Sequence, residues 1–221
     1  MKYYSKHEAI LNYCKGKPVL HLGCVGNNDS ITEHKVAAAP STLHMKLSAI
    51  ATVTGVDISA DAVEEYRRTG VCDNILIGDV ENLVALNLKP EYDVVVIGCL
   101  IEHLSNPGKM LDGVKNICHK NTTVILTTPH AFGLAPVIRH FTGKFREGLQ
   151  HVMTFNRHNL SNLVERHGFK IIEVATCYQA ESAKDSLAFC LGKKLFKTFP
   201  IFGGTLIFFL TVDSNYAAQN S

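Results

Sequence analysis

Short apolar runs that stop at glycine, acid or proline recur along the chain, with amphipathic stretches between them. Val19, Leu20 and Leu22 form the first run, which ends at Gly23-Cys24-Val25-Gly26. Ala51–Val56 is β-branched and ends at Asp57; Asn74–Ile77 ends at Gly78-Asp79. Tyr92–Ile97 ends at Gly98-Cys99, and Thr122–Thr127 at Pro129-His130. Continuous apolar runs of this length read as strands buried on both faces, the habit of parallel sheets. Between them, apolar residues return at helical spacing. Tyr3–Cys14 predicts a helix through Ile10, Leu11 and Cys14, and Ser41 caps a second carrying Leu43, Leu47 and Ile50. Ser59 opens a third with Ala62, Val63 and Tyr66, closed by Gly70. A fourth starts near Asn106-Pro107 with Met110, Leu111, Val114 and Ile117. Arg157–His167 predicts a fifth, and Phe169–Cys177 and Gly204–Val212 are two last strands. The fold class is α/β: a doubly wound, mostly parallel sheet of seven strands with helices between the first five.

The rhythm breaks at two places, Asn28–Pro40 and Ala131–Val152, which are polar or irregular. They predict a loop insertion at about 28–40 and a lid at about 131–152 within one domain spanning residues 1–221. Arg139, His140, Lys144 and Arg146 make the lid modestly basic, which suits a solvated face or an anionic acceptor.

Composition narrows the partners. A net charge of +2 lacks the concentrated basic face of a nucleic-acid binder. Phe199–Val212 is too short to span a bilayer and contains Gly203-Gly204, so no stable membrane insertion is expected; Lys193, Lys194 and Lys197 beside it add only surface affinity. Seven cysteines form no CxxC pair and no metal-ligand cadence, so buried reduced thiols in a cytoplasmic protein are expected. Met1–Lys17 is too polar for a secretory signal.

In open α/β sheets the ligand lies beyond the carboxyl ends of the strands. Those ends carry Gly23 and Gly26, Asp57, Asp79, Cys99 and Pro129-His130. Glycine lets a ligand approach the backbone, and a carboxylate ending the second strand suits a ribose, since it accepts from two adjacent hydroxyls. The same acid would also favour the start of the following helix. Asp79 allows the same two roles, helix-start acid or acceptor from an adenine amine.

Taken in order, Val19-Leu-His-Leu-Gly-Cys24, Val53-Thr-Gly-Val-Asp-Ile-Ser59, Ile77-Gly-Asp79, Tyr92-Asp-Val-Val-Val96, Ile101-Glu-His-Leu104, Thr127-Thr-Pro129 and His151-Val-Met-Thr-Phe155 resemble a class I S-adenosylmethionine-dependent methyltransferase over nearly the whole chain. The likeness is to small-molecule enzymes acting on sugars, lipids or quinones. It implies a Rossmann-like sheet whose last two strands form an antiparallel hairpin, S-adenosylmethionine as cofactor, S-adenosylhomocysteine as product, and a small-molecule acceptor, an anionic sugar or lipid included. It also implies roles. Gly23, Cys24 and Gly26 would approach the methionine part; Asp57 would hold the ribose, with Ile58 on the adenine. Asp79 would meet the adenine amine with Val80 beside it, and Cys99 and Leu100 would line the methionine side. His21 stands where the family carries an acid, and Val25 and Asn27 stand at later glycine positions.

Methyl transfer to a hydroxyl needs a base and exclusion of water, and histidine suits the task. Of eleven histidines, His103, His130 and His151 fall where cofactor and acceptor meet. His151 is the expected base, His130 the next, and His103 shapes the loop after the fourth strand with Glu102. Their spacing does not demand a metal. Two other readings stay open: a noncatalytic cofactor-binding or scaffold protein, and a nicotinamide-dependent oxidoreductase or epimerase, although Gly23-Cys-Val-Gly26 lacks the rest of the G-x-G-x-x-G pattern.

Overall fold

Eight strands form a single sheet in the order β1-β7-β8-β6-β5-β2-β3-β4 in the computed structural model, which describes residues 1–26, 42–144, 148, 150–177 and 197–214. The strands are β1 (Lys2–Tyr4), β2 (Pro18–Leu22), β3 (Thr52–Asp57), β4 (Ile75–Ile77), β5 (Val94–Gly98), β6 (Thr123–Pro129), β7 (Phe169–Cys177) and β8 (Thr205–Val212). All neighbours are parallel except β6–β8 and β7–β8, so the antiparallel C-terminal pair is present. The Rossmann-like, doubly wound architecture thus holds with eight strands rather than seven.

The additional strand is a correction at the N-terminus. Lys2–Tyr4 pairs in parallel with Ala175–Cys177, and the helix α1 begins only at Lys6 and ends at Cys14. Tertiary partners decide this: Tyr4 donates to Glu173 Oε1 at 2.9 Å, and Lys2 forms an ion pair with the same carboxylate. Ser41 and the stretch 28–40 lie outside the described residues, as do Arg146, Cys190, Lys193 and Lys194. The next helix, α2 (Leu43–Ser48), is capped instead by Thr42, whose hydroxyl accepts from the Met45 amide. The helices α3 (Ala60–Arg68), α4 (Pro107–Ile117), α5 (Leu134–Phe141) and α6 (Arg157–Arg166) follow.

Alternation along the strands builds a core on each face of the sheet. Leu20, Leu22, Val95, Ile97, Leu126 and Phe208 meet Met110, Leu111 and Val114 of α4 and Leu160 and Val164 of α6 on one side. Val19, Val53, Val94, Val96, Ile125 and Ile207 meet Ile10 and Cys14 of α1 and Leu47 of α2 on the other. Burying an aliphatic side chain contributes about 1.5–3 kcal/mol, so the central strands are the rigid base of everything at their ends. The chain leaves β4 at one edge and re-enters the sheet at β5 on the far side of β2. The ends of β2 and β5 therefore diverge at a topological switch point, where such sheets hold ligands. Among the described residues, no helix is long and apolar enough to cross a membrane.

Candidate functional site

A cavity of about 430 Å³ opens at that switch point, lined by residues following β2, β3, β4 and β5. Gly23, Gly26, Asp57, Ile58, Asp79, Val80, Cys99 and Leu100 all line it. Gly23 and Gly26 take φ of +67° and +83°, a left-handed backbone that favours glycine. A Cβ on Gly23 would stand 2.8 Å from Leu100 Cδ1, whereas one on Gly26 would meet nothing within 4 Å. The loop is thus packed underneath at Gly23 and open at Gly26.

Asp57 is buried at the end of β3, and its carboxylate accepts from the Val25 amide at 2.8 Å and the Ser59 amide at 3.0 Å. It therefore ties the glycine loop to the start of α3, and each oxygen keeps a further lone pair for a ligand. Asp79 caps the 3-10 segment Val80–Leu86 by accepting from the Glu81 amide at 2.8 Å, and it also lines the cavity. Cys99 is held at φ +51° by its amide, which donates to the Thr127 carbonyl at 2.9 Å. Ile58 is 62% exposed, an apolar surface next to the cavity.

Cys24 departs from expectation. Its side chain is buried among Val63, Tyr66, Cys72 and Ile75, and it does not line the cavity; burial raises its thiol pKa well above the ordinary value, with Asp57 adding to the effect. In the turn after β2 its side chain falls on the core side, a reversal that strand alternation alone does not announce.

His21, standing in place of an acid, is also buried. Its ring stacks on His44 of α2 with centroids 5.5 Å apart, the two Nδ1 atoms 3.3 Å from each other. His44 Nε2 lies 3.0 Å from Asn74 Oδ1, and Asn74 Nδ2 donates to the Val53 carbonyl at 2.9 Å. Burial, with His44 alongside, pulls the His21 pKa down to about 3. Burial lowers His44 as well, against the opposing bond from Asn74. A neutral imidazole pair thus replaces the charge under the loop.

The rest of the cavity lining is Glu81, Gly98, His103, Leu104, Ser105 and Gln150. Of these, the sequence places His103 where cofactor and acceptor meet, as a residue shaping the loop, and marks none of the others as site residues; Glu81 accepts from the Asn106 amide at 2.9 Å and so ties this rim to α4. His103 Nδ1 lies 3.1 Å from the Gln150 carbonyl, which as a pure acceptor places the proton on Nδ1. His151 packs edge-on against His103, centroids 4.8 Å apart at 81°. Residues 151–155 are fixed by backbone bonds: Val152 and Met153 donate to the Glu102 carbonyl at 2.9 and 3.2 Å, and Ala131 donates to the Phe155 carbonyl at 2.9 Å. The reciprocal capping box of Asn156 and Asn159 then starts α6.

His130 is placed differently from a base meeting an acceptor. It is 3% exposed, its Nδ1 faces the Gly203 carbonyl at 3.1 Å, and it does not line the cavity. Burial lowers its pKa, partly offset by the Gly203 bond. Within the stretch 131–152, Leu134–Phe141 forms α5, none of whose residues is buried; Phe132, Ile138 and Phe141 are exposed. Gly133 packs against Gly203 and Gly204, which brings the start of α5 beside the exposed Phe199, Ile201 and Phe202.

A family model described as a methyltransferase domain matches residues 15–174. The fold is similar to an S-adenosylmethionine-dependent methyltransferase from Archaeoglobus fulgidus (16% identity, 93% of this chain and 91% of that one, TM-score 0.58). It is also similar to a Thermotoga maritima protein described as a possible histamine N-methyltransferase (17% identity, 95% and 88%, TM-score 0.63). A third similar structure is the Synechocystis magnesium protoporphyrin IX methyltransferase with bound S-adenosylhomocysteine (16% identity, 94% and 82%, TM-score 0.58). No curated protein matches the chain.

Proposed function

The chain belongs to the methyltransferase-domain family as a class I protein with S-adenosylmethionine as its cofactor, and we propose that it methylates a hydroxyl of a small acceptor with an apolar body, of lipid or quinone type. The observation that carries this reading is a cavity whose lining includes both Asp57 and His103, with His151 packed against His103.

The residues fit the cofactor. A volume of about 430 Å³ is within the usual range of ligand sites. Gly26 leaves open space where a side chain would intrude, and Asp57 offers lone pairs to adjacent hydroxyls. Asp57 would hold the ribose, Ile58 and Val80 would flank the adenine, and Asp79 would accept from its amine. Gly23, Cys99 and Leu100 would border the methionine side. When bound, the cofactor supplies an electrophilic methyl group on a sulfonium. What the chain must add is alignment, exclusion of water and removal of the acceptor proton. That proton leaves at the cluster of Glu102, His103 and His151, with His151 rather than the enclosed His130 in position. Exposed Phe132, Ile138, Phe141, Val152 and Met153 provide apolar surface for the acceptor body, and Arg139, His140 and Lys144 suit an anionic group on it.

Calorimetry with S-adenosylhomocysteine tests the reading. The wild-type chain should bind it, and Asp57→Ala should weaken binding by about 1.5–3 kcal/mol, roughly tenfold to over a hundredfold. No binding by the wild-type chain, with NAD bound instead, would replace this reading by an oxidoreductase. Unchanged affinity in a folded Asp57→Ala chain would remove Asp57 from the site.

Cysteine footprinting gives an independent check. Cys99 lines the cavity, whereas burial raises the thiols of Cys14 and Cys118 to about 12. Iodoacetamide at neutral pH should therefore modify Cys99 ahead of those two, since the thiolate is the reactive form. S-adenosylhomocysteine should protect Cys99, as peptide mass mapping would show; equal labelling with and without it would count against contact.

A further inference from the structure

Glu102, His103 and His151 bring one carboxylate oxygen and two ring nitrogens within 4.8 Å of one another. Three features make this more than proximity. Glu102 is 2% exposed; its Oε2 accepts from Thr128 Oγ1 at 2.9 Å, while Oε1, equally shut off from water, has no hydrogen-bond partner among the described residues. A buried carboxylate oxygen without a donor is costly unless a cation meets it. His103 has its proton on Nδ1, facing the Gln150 carbonyl, so the Nε2 lone pair is the one available; a backbone carbonyl orienting the far nitrogen is how histidine ligands are held. The segment carrying His151 is locked onto the Glu102 backbone by two amides. Gly148 completes the fit, because a Cβ there would stand 2.6 Å from His151 Nε2.

We propose that Glu102, His103 and His151 form a binding site for one first-row divalent transition-metal ion at the rim of the cofactor cavity. Two imidazoles with one carboxylate favour such ions over magnesium or calcium, which prefer all-oxygen sites. Metal–nitrogen bonds of about 2.0–2.1 Å would draw the three groups somewhat closer than they now stand. Three protein ligands leave coordination positions open, and His103 lines the cavity, so these positions adjoin the cofactor site. An ion there would take an oxygen of the acceptor and acidify its hydroxyl, so that the proton would pass to solvent water before methyl transfer and His151 would serve as a ligand rather than a bare base. This role toward the acceptor rests on the methyl-transfer reading; the ion site itself does not.

The test uses the full chain without added histidines, stripped of metal and titrated with Co²⁺ while its visible absorption is followed. The expected result is a saturable band at one ion per chain, competed by Zn²⁺ and not by Mg²⁺. Glu102→Gln and His151→Ala should each weaken Co²⁺ binding by about a hundredfold or more, since even outer partners of ligands are worth 10–100-fold. Both variants should keep their affinity for S-adenosylhomocysteine. Acetohydroxamate should shift the band if positions are open. Absence of Co²⁺ binding in the wild-type chain, or binding that survives in both variants, overturns the proposal. If Glu102→Gln fails to fold, His151→Ala, at a half-buried position, decides alone. Loss of S-adenosylhomocysteine binding with Co²⁺ binding intact would sink the methyl-transfer reading and leave the ion site standing.

Discussion

Folding stability should fall by about 2 kcal/mol or more between pH 6.5 and pH 5, before carboxylates begin to titrate. His21 is the main reason. Asn74 Oδ1 accepts from His44 Nε2, so His44 Nδ1 is an acceptor and His21 Nδ1 donates to it. A further proton on His44 Nδ1 would set two donors against each other, and none of the charge would reach water. For His21 itself, burial first and the neighbouring His44 second hold the native pKa at about 3, against an ordinary value of 6.5. Its depressed native value makes the unfolded chain bind the extra proton throughout that interval. The contribution is complete above pH 6.5 and declines as the pH falls toward 3, at about 1.4 kcal/mol per unit. His44 and His130 are shifted in the same direction and add to the loss. Urea unfolding at half-unit pH steps would measure the slope. Imidazole proton resonances would assign it: His21 should show no titration down to pH 5. A flat stability profile, or a His21 midpoint near 6.5, would refute this account.

Gly55→Ala should lower stability by about 2–3 kcal/mol, the upper part of the range for overpacking a filled core. Gly55 lies in β3, paired with His21 on one side and Ile75 on the other. A Cβ there would come within 2.7 Å of Cys24 Sγ, 2.8 Å of His44 Cε1 and 2.9 Å of Ile75 Cγ1. None of the three can swing into solvent: Cys24 and Ile75 are core residues, and His44 is held by Asn74. For a chain of this length the melting temperature should drop by roughly 5–10 °C. Moving His44 should also disturb the pair beneath the cofactor loop, so affinity for S-adenosylhomocysteine should fall along with stability. Calorimetric scans and titrations of the two proteins compare directly, and an unchanged melting temperature would show that the pocket around Gly55 relaxes.

The parts legible in the sequence are those whose signal is local. Val94–Gly98 could be read as a buried parallel strand because both its faces are covered, leaving an unbroken apolar run. Asp57 and Asp79 could be placed because strand ends are marked by glycine and acid within a few residues. What stayed hidden depends on contacts distant along the chain. Strand β1 is only three residues long and is specified by Glu173 and Phe209 rather than by its own pattern. His44 and Asn74 look like ordinary polar surface residues until α2 and the start of β4 bring them together. Glu102 reads as a loop acid, and only the return of residues 151–153 encloses it beside two histidines. Gln150 and Ser105 carry no pattern of their own; the cavity recruits them by position. The core-facing side chain of Cys24 was hidden because a turn can rotate a side chain away from the direction that strand alternation suggests.

Both margins of the sheet are three-residue strands, Lys2–Tyr4 and Ile75–Ile77. At the second, the Arg67 guanidinium donates to the Ile75 carbonyl at 2.7 Å, taking an acceptor that a neighbouring chain would otherwise use. At the first, Lys2 places a cation on the outermost strand. Short, charged borders offer little template for another strand, which is how native sheets avoid extending from molecule to molecule. Self-association by edge-to-edge strand addition is therefore disfavoured, and the large, parallel, apolar interior stays sealed at concentrations where an open-edged sheet of the same composition would aggregate.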